Sequence, residues 1–433
     1  MKNARRTLLL PYHWAWALFA AFWYGRPARR LVVIGVTGTK GKSTVAEMLH
    51  AILSESGKKV ALASTIRFAV GEDSRPNLYK MTLPGRGFIQ AFLRQALQQG
   101  ATHAVVEITS EAALQYRHLG LELDALVFTN LQKEHVESHG SFEKYLEAKL
   151  RIGQALVRSH KRPRTIVANA DDPKSEAFLA LPVENRVSFS LADAHEISLD
   201  EQGEGHGVSF TYAGVRFLLA QPGRFSVMNA LAATKVAEAL GVPTTTAARA
   251  LARLTKVAGR AERIEAGQDF LAIVDYAHTP DSLRALYEAY APPSGSGEKR
   301  RLICVLGNTG GGRDTWKRPE MGRVADEACD TVILTNEDPY DEDPCAILDA
   351  MVDGMKRKPD IIMDRRLAIR EALRIAHELS GTLRQARGPR NKDGVAVLIT
   401  GKGTDPYIIG AKGSREPWSD AQVVREELAR LRD

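Results

Sequence analysis

The stretch Gly35-Val36-Thr37-Gly38-Thr39-Lys40-Gly41-Lys42-Ser43-Thr44 carries the residue types that hold a nucleoside triphosphate. Glycines let backbone N–H groups turn in on phosphate oxygens. The N-terminus of a following helix favours anionic charge, a lysine bridges the terminal phosphates, and a serine hydroxyl reaches Mg2+. Lys42 and Ser43 fill those two roles, with Gly38, Thr39, Lys40, Gly41 and Thr44 as the rest of an ATP-binding loop. The strict G-x-x-x-x-G-K-[ST] pattern would place glycine at Val36; the spacing here is G-x-x-G-T-x-G-K-S. Such a loop works only between a strand and a helix. Residues 31–36 read as that strand, and Val45, Met48, Leu49, Ile52 and Leu53 recur at helical spacing after it.

The same alternation continues along the chain. Candidate strands at 103–108, 124–129, 165–168, 270–275, 301–306, 330–334 and 395–399 are separated by amphipathic helical stretches, which predicts an α/β protein with largely parallel sheets. Residues 195–220 differ: glycine turns and strict alternation suggest a hairpin insert. A new series of strands begins near 270, so a domain boundary is expected around 258–266. Residues 292–297 and 380–394 read as surface loops.

Several further motifs, spaced along the chain, make the reading specific. Phe128-Thr129-Asn130-Leu131 is followed by Glu134-His135, Glu137, His139-Gly140, Tyr145 and Ala148-Lys149. Then come Pro222-Gly223-Arg224-Phe225 with Asn229-Ala230, Gly259-Arg260, Asp275-Tyr276-Ala277-His278, Gly310-Gly311-Gly312-Arg313-Asp314 and Gly401-Lys402-Gly403. In order and spacing these motifs resemble the Mur ligase family, MurE-type, over about residues 31–425. The resemblance implies a P-loop central domain (31–260) with a mostly parallel sheet and a Rossmann-like C-terminal α/β domain (261–433), behind a basic aromatic arm (1–30).

It also implies ATP-dependent amide formation through an acyl phosphate, adding an amino acid to a muramyl-peptide precursor of peptidoglycan. Two anions must meet in that reaction, so Mg2+ and cationic side chains would carry much of it. By resemblance, Ser43 and Glu107 bind magnesium, His135 is a ligand of a second metal, and Lys149 is the lysine carbamylated in the family. Asn229, Arg260, Asp275 and His278 would meet the nucleotide, although a strand-end Asp such as Asp275 also reads as a cap. Thr82, Thr109, Gln115 and Arg117 would meet the acceptor, with Arg117 as a carboxylate clamp.

Three departures stand out. Only 34 residues precede Gly35, where MurE-type enzymes carry a uridine-binding domain, so a different hold on the UDP end or a lipid-linked carrier is expected. The diaminopimelate selector D-N-P-R is Glu337-Asp338-Pro339-Tyr340 here, which removes its arginine. Arg313, Asp338, Pro339, Tyr340, Gly401 and Asp405 remain as amino-acid contacts. The acidic Asp341, Glu342 and Asp343 that follow favour a diamino acid ending in an amine, such as lysine or ornithine. Third, the family's S-S-H-G is Thr109-Ser110-Glu111-Ala112.

Charge and composition bound the alternatives. The 433 residues hold 59 Lys+Arg against 52 Asp+Glu, but Lys2, Arg5, Arg6, Arg26, Arg29 and Arg30 supply six of the seven net charges. The body is nearly neutral, which argues against nucleic acid as a partner. The apolar run 8–24 holds Trp14, Trp16 and Trp23, is interrupted by Pro11 and His13, and is short for a membrane span. It reads equally as a helix in a membrane interface or as one packed on protein. Three cysteines with no local pairing motif suggest incidental thiols and a reducing, cytoplasmic setting. Two other functions stay open: a folylpolyglutamate-type ligase with another acceptor, and a non-catalytic nucleotide-binding scaffold at the membrane. Asp275-Tyr276-Ala277-His278 with Asp338-Pro339 argues against the first. Intact Lys42, Ser43, Glu107, His135 and Lys149 argue against the second.

Overall fold

A computed structural model of the chain describes residues 10–85, 87–132, 134, 140–199, 207–291, 300–312, 314–387 and 394–431. It divides into two compact units. The first comprises residues up to Ala220 together with Arg224–Thr255; the second comprises Gln221–Gly223 and everything from Lys256 onward.

The first unit is built on eight strands: β1 (Val32–Thr37), β2 (Val60–Ala63), β3 (Arg67–Val70), β4 (Asp73–Pro76), β5 (His103–Glu107), β6 (Ala125–Phe128), β7 (Thr165–Asn169) and β8 (Asn185–Phe189). They lie in the order β4-β3-β2-β5-β1-β6-β7-β8. All pairings are parallel except β2–β3 and β3–β4. Successive side chains of β1 point to opposite faces, as strand geometry requires. Ile34 and Val36 enter one core with Met48, Leu49 and Ile52 of α2 (Lys42–Glu55) and Val227 and Leu231 of α7 (Arg224–Ala239). Val33 enters the other, with Phe92 and Leu93 of α3 (Phe88–Gln98) and Tyr145 and Ile152 of α5 (Phe142–Val157). The stretch expected to be a hairpin is a three-stranded antiparallel sheet, β9 (His195–Leu199), β10 (Val208–Tyr212) and β11 (Val215–Leu219), whose Phe210 and Phe217 join the first core. Helix α1 (Leu10–Trp23) lies before the sheet, and among the described residues no helix is long and apolar enough to cross a membrane.

The second unit holds a six-stranded sheet. Five strands, β13 (Leu271–Val274), β14 (Arg301–Leu306), β15 (Thr331–Leu334), β16 (Asp360–Ile361) and β17 (Val395–Ile399), run parallel, and β12 (Glu262–Arg263) pairs antiparallel at one edge. Helices cover both faces. The mostly parallel α/β architecture expected from the strand–helix alternation is thus present in both units. The cysteine expectation is corrected: Cys304 in β14 and Cys329 form a buried disulfide with Cα atoms 6.1 Å apart, and Cys345 is exposed. The two are 25 residues apart, so no local motif announces them; the crossover from β14 to β15 brings them together.

Candidate active site

In the first sheet β1 lies between β5 and β6, with β2 to β5 on one side of it and β6 to β8 on the other. Ligands of open α/β sheets bind beyond the carboxyl ends of strands at such a branch point. Register places Val36 opposite Glu107 and Thr37 opposite Phe128, so the ends of β1, β5 and β6 converge. The loop from Gly38 to Gly41 turns there because two glycines take backbone angles that side chains avoid. Gly38 has φ +149° and a Cβ on it would sit 1.9 Å from the Thr129 hydroxyl; Gly41 has φ +80° and a Cβ would sit 2.3 Å from Asn229 Oδ1. Asn229, brought by α7, therefore lies directly against the loop. Asn130 fixes it from the other side, its carbonyl accepting from Thr39 N–H (2.9 Å) and its Oδ1 from Lys40 N–H (2.9 Å). Lys42 Nζ donates to the Thr39 carbonyl at 2.8 Å, and Lys40 pairs with Glu134 at 3.1 Å.

Ser43 Oγ donates to Glu107 Oε2 at 3.0 Å. Glu107 is buried and also accepts from Thr65 N–H (2.8 Å) and Thr65 Oγ1 (3.0 Å), while Thr65 Oγ1 lies 2.7 Å from Thr82 Oγ1. A hydrogen-bonded chain thus runs Ser43–Glu107–Thr65–Thr82. Mg2+ is commonly held by one or two carboxylates plus substrate phosphates. The hard oxygen donors of Ser43 and Glu107, one turn from the phosphate loop, fit that ion.

Lys149 on α5 is 1% exposed, donates to the Gly38 carbonyl at 2.6 Å and lies over the Tyr145 ring, whose hydroxyl is 3.1 Å from Thr39 Oγ1. Burial, with the nearby charge of Lys42, holds its amine well below the usual lysine range, against the opposing pull of Glu134 and Glu107. A neutral amine is the form that adds to carbon dioxide. His135 and its neighbours Glu137 and His139 lie outside the described residues, as does Arg313.

Among the residues expected to meet the acceptor, Thr109 caps the short helix α4 (Ser110–Leu114), accepting from Ala112 N–H at 3.2 Å. Glu111, at the third position of the departing tetrapeptide, accepts from Gln115 Nε2 at 2.7 Å, and Gln115 in turn accepts from Arg117. Arg117 also donates to the Leu83 carbonyl at 2.8 Å, next to Thr82. Arg117 is thereby braced between Gln115 and the Leu83 backbone.

The second unit brings its own motifs together. Asp275 accepts through one carboxylate oxygen from Ala261 N–H and through the other from Ala277 N–H, both at 2.6 Å, so it orders the D-Y-A-H turn and the Gly259–Ala261 segment at once. Arg260 stacks on the Tyr276 ring, 4.4 Å to its centre, and His278 Nδ1 lies 2.7 Å from the Tyr276 carbonyl oxygen. Lys402 is fully buried and donates to Asp338 (2.8 Å) and to the Tyr407 carbonyl (2.6 Å), with Asp405 at 3.7 Å. Asp338 also accepts from Ile409 N–H, and Tyr340, at φ +54°, donates its own N–H to the Ile409 carbonyl. Gly401, at φ +105°, leaves no room for a side chain beside Glu337, whose carboxyl burial pushes upward despite the Thr309 hydroxyl.

Two features differ from the residue-type reading. The acidic run after Tyr340 is engaged: Asp341 accepts from Lys412 N–H (2.7 Å), Glu342 pairs with Arg318 (2.8 Å) and accepts from Gly312 N–H, and Asp343 caps α11 (Pro344–Val352). These contacts tie the carboxylates into the loop. Thr65, which joins Glu107 to Thr82, is not legible in the sequence because a lone threonine between two strands carries no spacing signal.

Comparison with known proteins places this geometry. Residues 36–237 match the Mur ligase middle domain and residues 259–403 the Mur ligase, glutamate ligase domain. The chain is 36% identical over 424 residues to a UDP-N-acetylmuramoyl-L-alanyl-D-glutamate--2,6-diaminopimelate ligase of Syntrophomonas wolfei, covering 96% of this chain and 81% of that one. It is also 36% identical to a UDP-N-acetylmuramyl-tripeptide synthetase of Roseiflexus, covering 96% and 82%. Among solved structures, a UDP-N-acetylmuramoyl-L-alanyl-D-glutamate--2,6-diaminopimelate ligase superposes with TM-score 0.59 at 28% identity, covering 93% of this chain and 79% of that one. A Mycobacterium tuberculosis folylpolyglutamate synthase shares the fold at TM-score 0.70 and 17% identity, covering 90% and 93%.

Proposed function

Because the chain belongs to the Mur ligase family, we propose that it is an ATP-dependent ligase that adds a diamino acid to a muramyl-peptide precursor of peptidoglycan. The observation that carries this reading is the chain Ser43–Glu107–Thr65–Thr82, which ties the phosphate loop to the acceptor pocket. The reaction moves the ATP γ-phosphoryl group onto an acceptor carboxylate, and the amine of the incoming amino acid then displaces phosphate to leave an amide and ADP. Loop N–H groups from Gly38 to Ser43 hold the phosphates, and Lys42 draws negative charge toward the transferring group. Ser43 and Glu107 would hold Mg2+, with His135 and, once carbamylated, Lys149 at a second ion; bound there, the metal would neutralise phosphate charge. Arg117 and Thr82 seat the acceptor carboxylate at the near end of the chain, with Thr109 and Gln115 bracing the pocket.

Asn229 meets the nucleotide beside Gly41. By the family resemblance, Arg260, Asp275 and His278 are assigned to the nucleotide, and Arg313, Asp338, Pro339, Tyr340, Gly401 and Asp405 to the amino acid. The enzyme works in the cytoplasm, with residues 8–24 at the inner face of the membrane. The domain limits go with this reading: an arm over 1–30, a central ATP-binding domain over 31–260 and a C-terminal domain over 261–433.

A substrate matrix tests it. UDP-linked and lipid-linked muramyl dipeptides are each offered with lysine, ornithine or diaminopimelate, with ATP, Mg2+ and bicarbonate, and products are weighed by mass spectrometry. An added diamino-acid mass with matching ADP release is expected. Turnover with a folate acceptor alone would assign the chain to the folylpolyglutamate type, and no turnover with any acceptor would make it a scaffold.

A further inference from the structure

Helix α1 carries no acid and no Lys or Arg, and its buried residues are Ala20 and Ala21. Each seats on a glycine turn. A Cβ built on Gly87 would lie 2.8 Å from Ala20 Cβ, and one on Gly120 2.8 Å from Ala21 Cβ. Both glycines have positive φ, so neither turn accepts a larger residue cheaply. Small side chains thus face the body while the large ones face out. Phe22 and Trp23 are 72% and 71% exposed, Tyr12, Trp14 and Phe19 about half, and Trp16, Phe19 and Trp23 stack in a ladder.

The exposed apolar surface continues past the helix. Leu78, Tyr79 and Met81 are also exposed. Tyr79 packs its ring 5.2 Å from Phe88, the neighbour of Gly87, and Met81 Sδ lies 3.6 Å from Arg117. Arg117 is close enough to His13 to add to the burial that lowers the imidazole pKa. The patch therefore borders the acceptor side of the first unit. Beyond α1 stand Arg26, Arg29 and Arg30, all exposed, and residues 1–30 contain no acid. Tryptophan and tyrosine beside arginine match the headgroup layer of an anionic bilayer. A second copy seated on this face would bring two cationic arms together.

We propose that α1 and Leu78–Met81 form one surface that seats on anionic phospholipid and sets the acceptor pocket at the membrane, where it takes a lipid-anchored acceptor. The acceptor's identity rests on the ligase reading above; the membrane contact does not. The full chain is floated with phosphatidylcholine vesicles with and without phosphatidylglycerol, and tryptophan emission is followed with brominated lipid. Binding to the anionic vesicles is expected, about tenfold weaker on phosphatidylcholine alone, with quenched and blue-shifted emission. Phe22→Ser with Trp23→Ser is expected to weaken vesicle binding about tenfold or more, and Arg26→Ser with Arg30→Ser to remove the preference for anionic lipid. Both variants keep ATP turnover on a soluble acceptor, which shows that they fold. No flotation, or flotation unchanged in both variants, overturns the proposal. So does a concentration-dependent dimer in light scattering, without flotation, that the aromatic variant abolishes. Vesicle binding without turnover on any acceptor sinks the ligase reading and the acceptor assignment but leaves the membrane contact standing.

Discussion

Glu107→Gln separates catalysis from architecture at the centre of the site. The carboxylate accepts three hydrogen bonds, from Ser43 Oγ, Thr65 N–H and Thr65 Oγ1. Glutamine keeps the shape. Its oxygen retains Thr65 N–H if placed at the Oε2 position, and its NH2 then faces Thr65 Oγ1, a hydroxyl that can rotate to accept. The structural loss reduces to the difference between charged and neutral acceptors, about 1 kcal/mol. In a unit of this size that is a fall of about 2–4 °C in melting temperature. On the proposed reading the catalytic loss is of another order, because the removed charge would face the phosphates and their Mg2+; about 10²- to 10³-fold in kcat is expected, typical of deleting one preorganised electrostatic group. The assay pairs thermal unfolding with ADP release at saturating ATP across a magnesium titration. A Glu107→Gln enzyme within about threefold of wild type at low magnesium would refute the placement of Glu107 at the metal and leave it a structural acceptor only.

Other outcomes follow from the same geometry. Lys149→Met is expected to abolish turnover, with partial recovery when a small carboxylic acid is supplied; unchanged turnover would remove Lys149 from the chemistry. The lysine's folded pKa lies below its unfolded value of 10.5, so between the two the unfolded chain binds the extra proton. Wild type should therefore gain stability relative to Lys149→Met as pH rises from neutrality toward 10.5, measured by urea unfolding at several pH values. Asp420→Ala leaves Arg365 buried without the carboxylate it grips through two 2.8 Å contacts; a loss of about 3–5 kcal/mol is expected in calorimetry. Tyr340→Arg restores the cation of the diaminopimelate selector and should raise the diaminopimelate-to-lysine ratio of kcat/KM about tenfold or more, the scale of one new charged contact; no change in the ratio would place the selector elsewhere.

Much of this site was legible in residue order because its signals are local. The phosphate loop needs glycines at fixed offsets between a strand and a helix, so spacing alone could place it, while Glu107 was marked only by the resemblance to the family. The partners of these groups were not legible. Thr65 meets Glu107 across 42 positions and Lys402 meets Asp338 across 64. Charge on the page also misleads about charge in space: Asp341, Glu342 and Asp343 look like a free acidic run, but each is engaged by a backbone N–H or by Arg318. The short strands β2, β3 and β4 escaped notice for a related reason. Four residues each, they owe their conformation to the neighbouring strand and less to their own alternation.

The two backbone contacts of Asp275 bear on how mutational libraries of this protein would read. A substitution that removes the side-chain oxygens, such as Asp275→Ala, releases both the Ala261 and the Ala277 N–H, and with them the scaffold under Arg260 and His278. In a growth selection Asp275 would score as sharply as a residue in the reaction path, while its neighbours Tyr276 and Ala277 would score more softly. A sequence-function map would then merge the backbone clasp of Asp275 with its proposed place beside the nucleotide. Purified-protein kinetics with nucleotide affinity measured separately would be needed before such a score is read as chemistry.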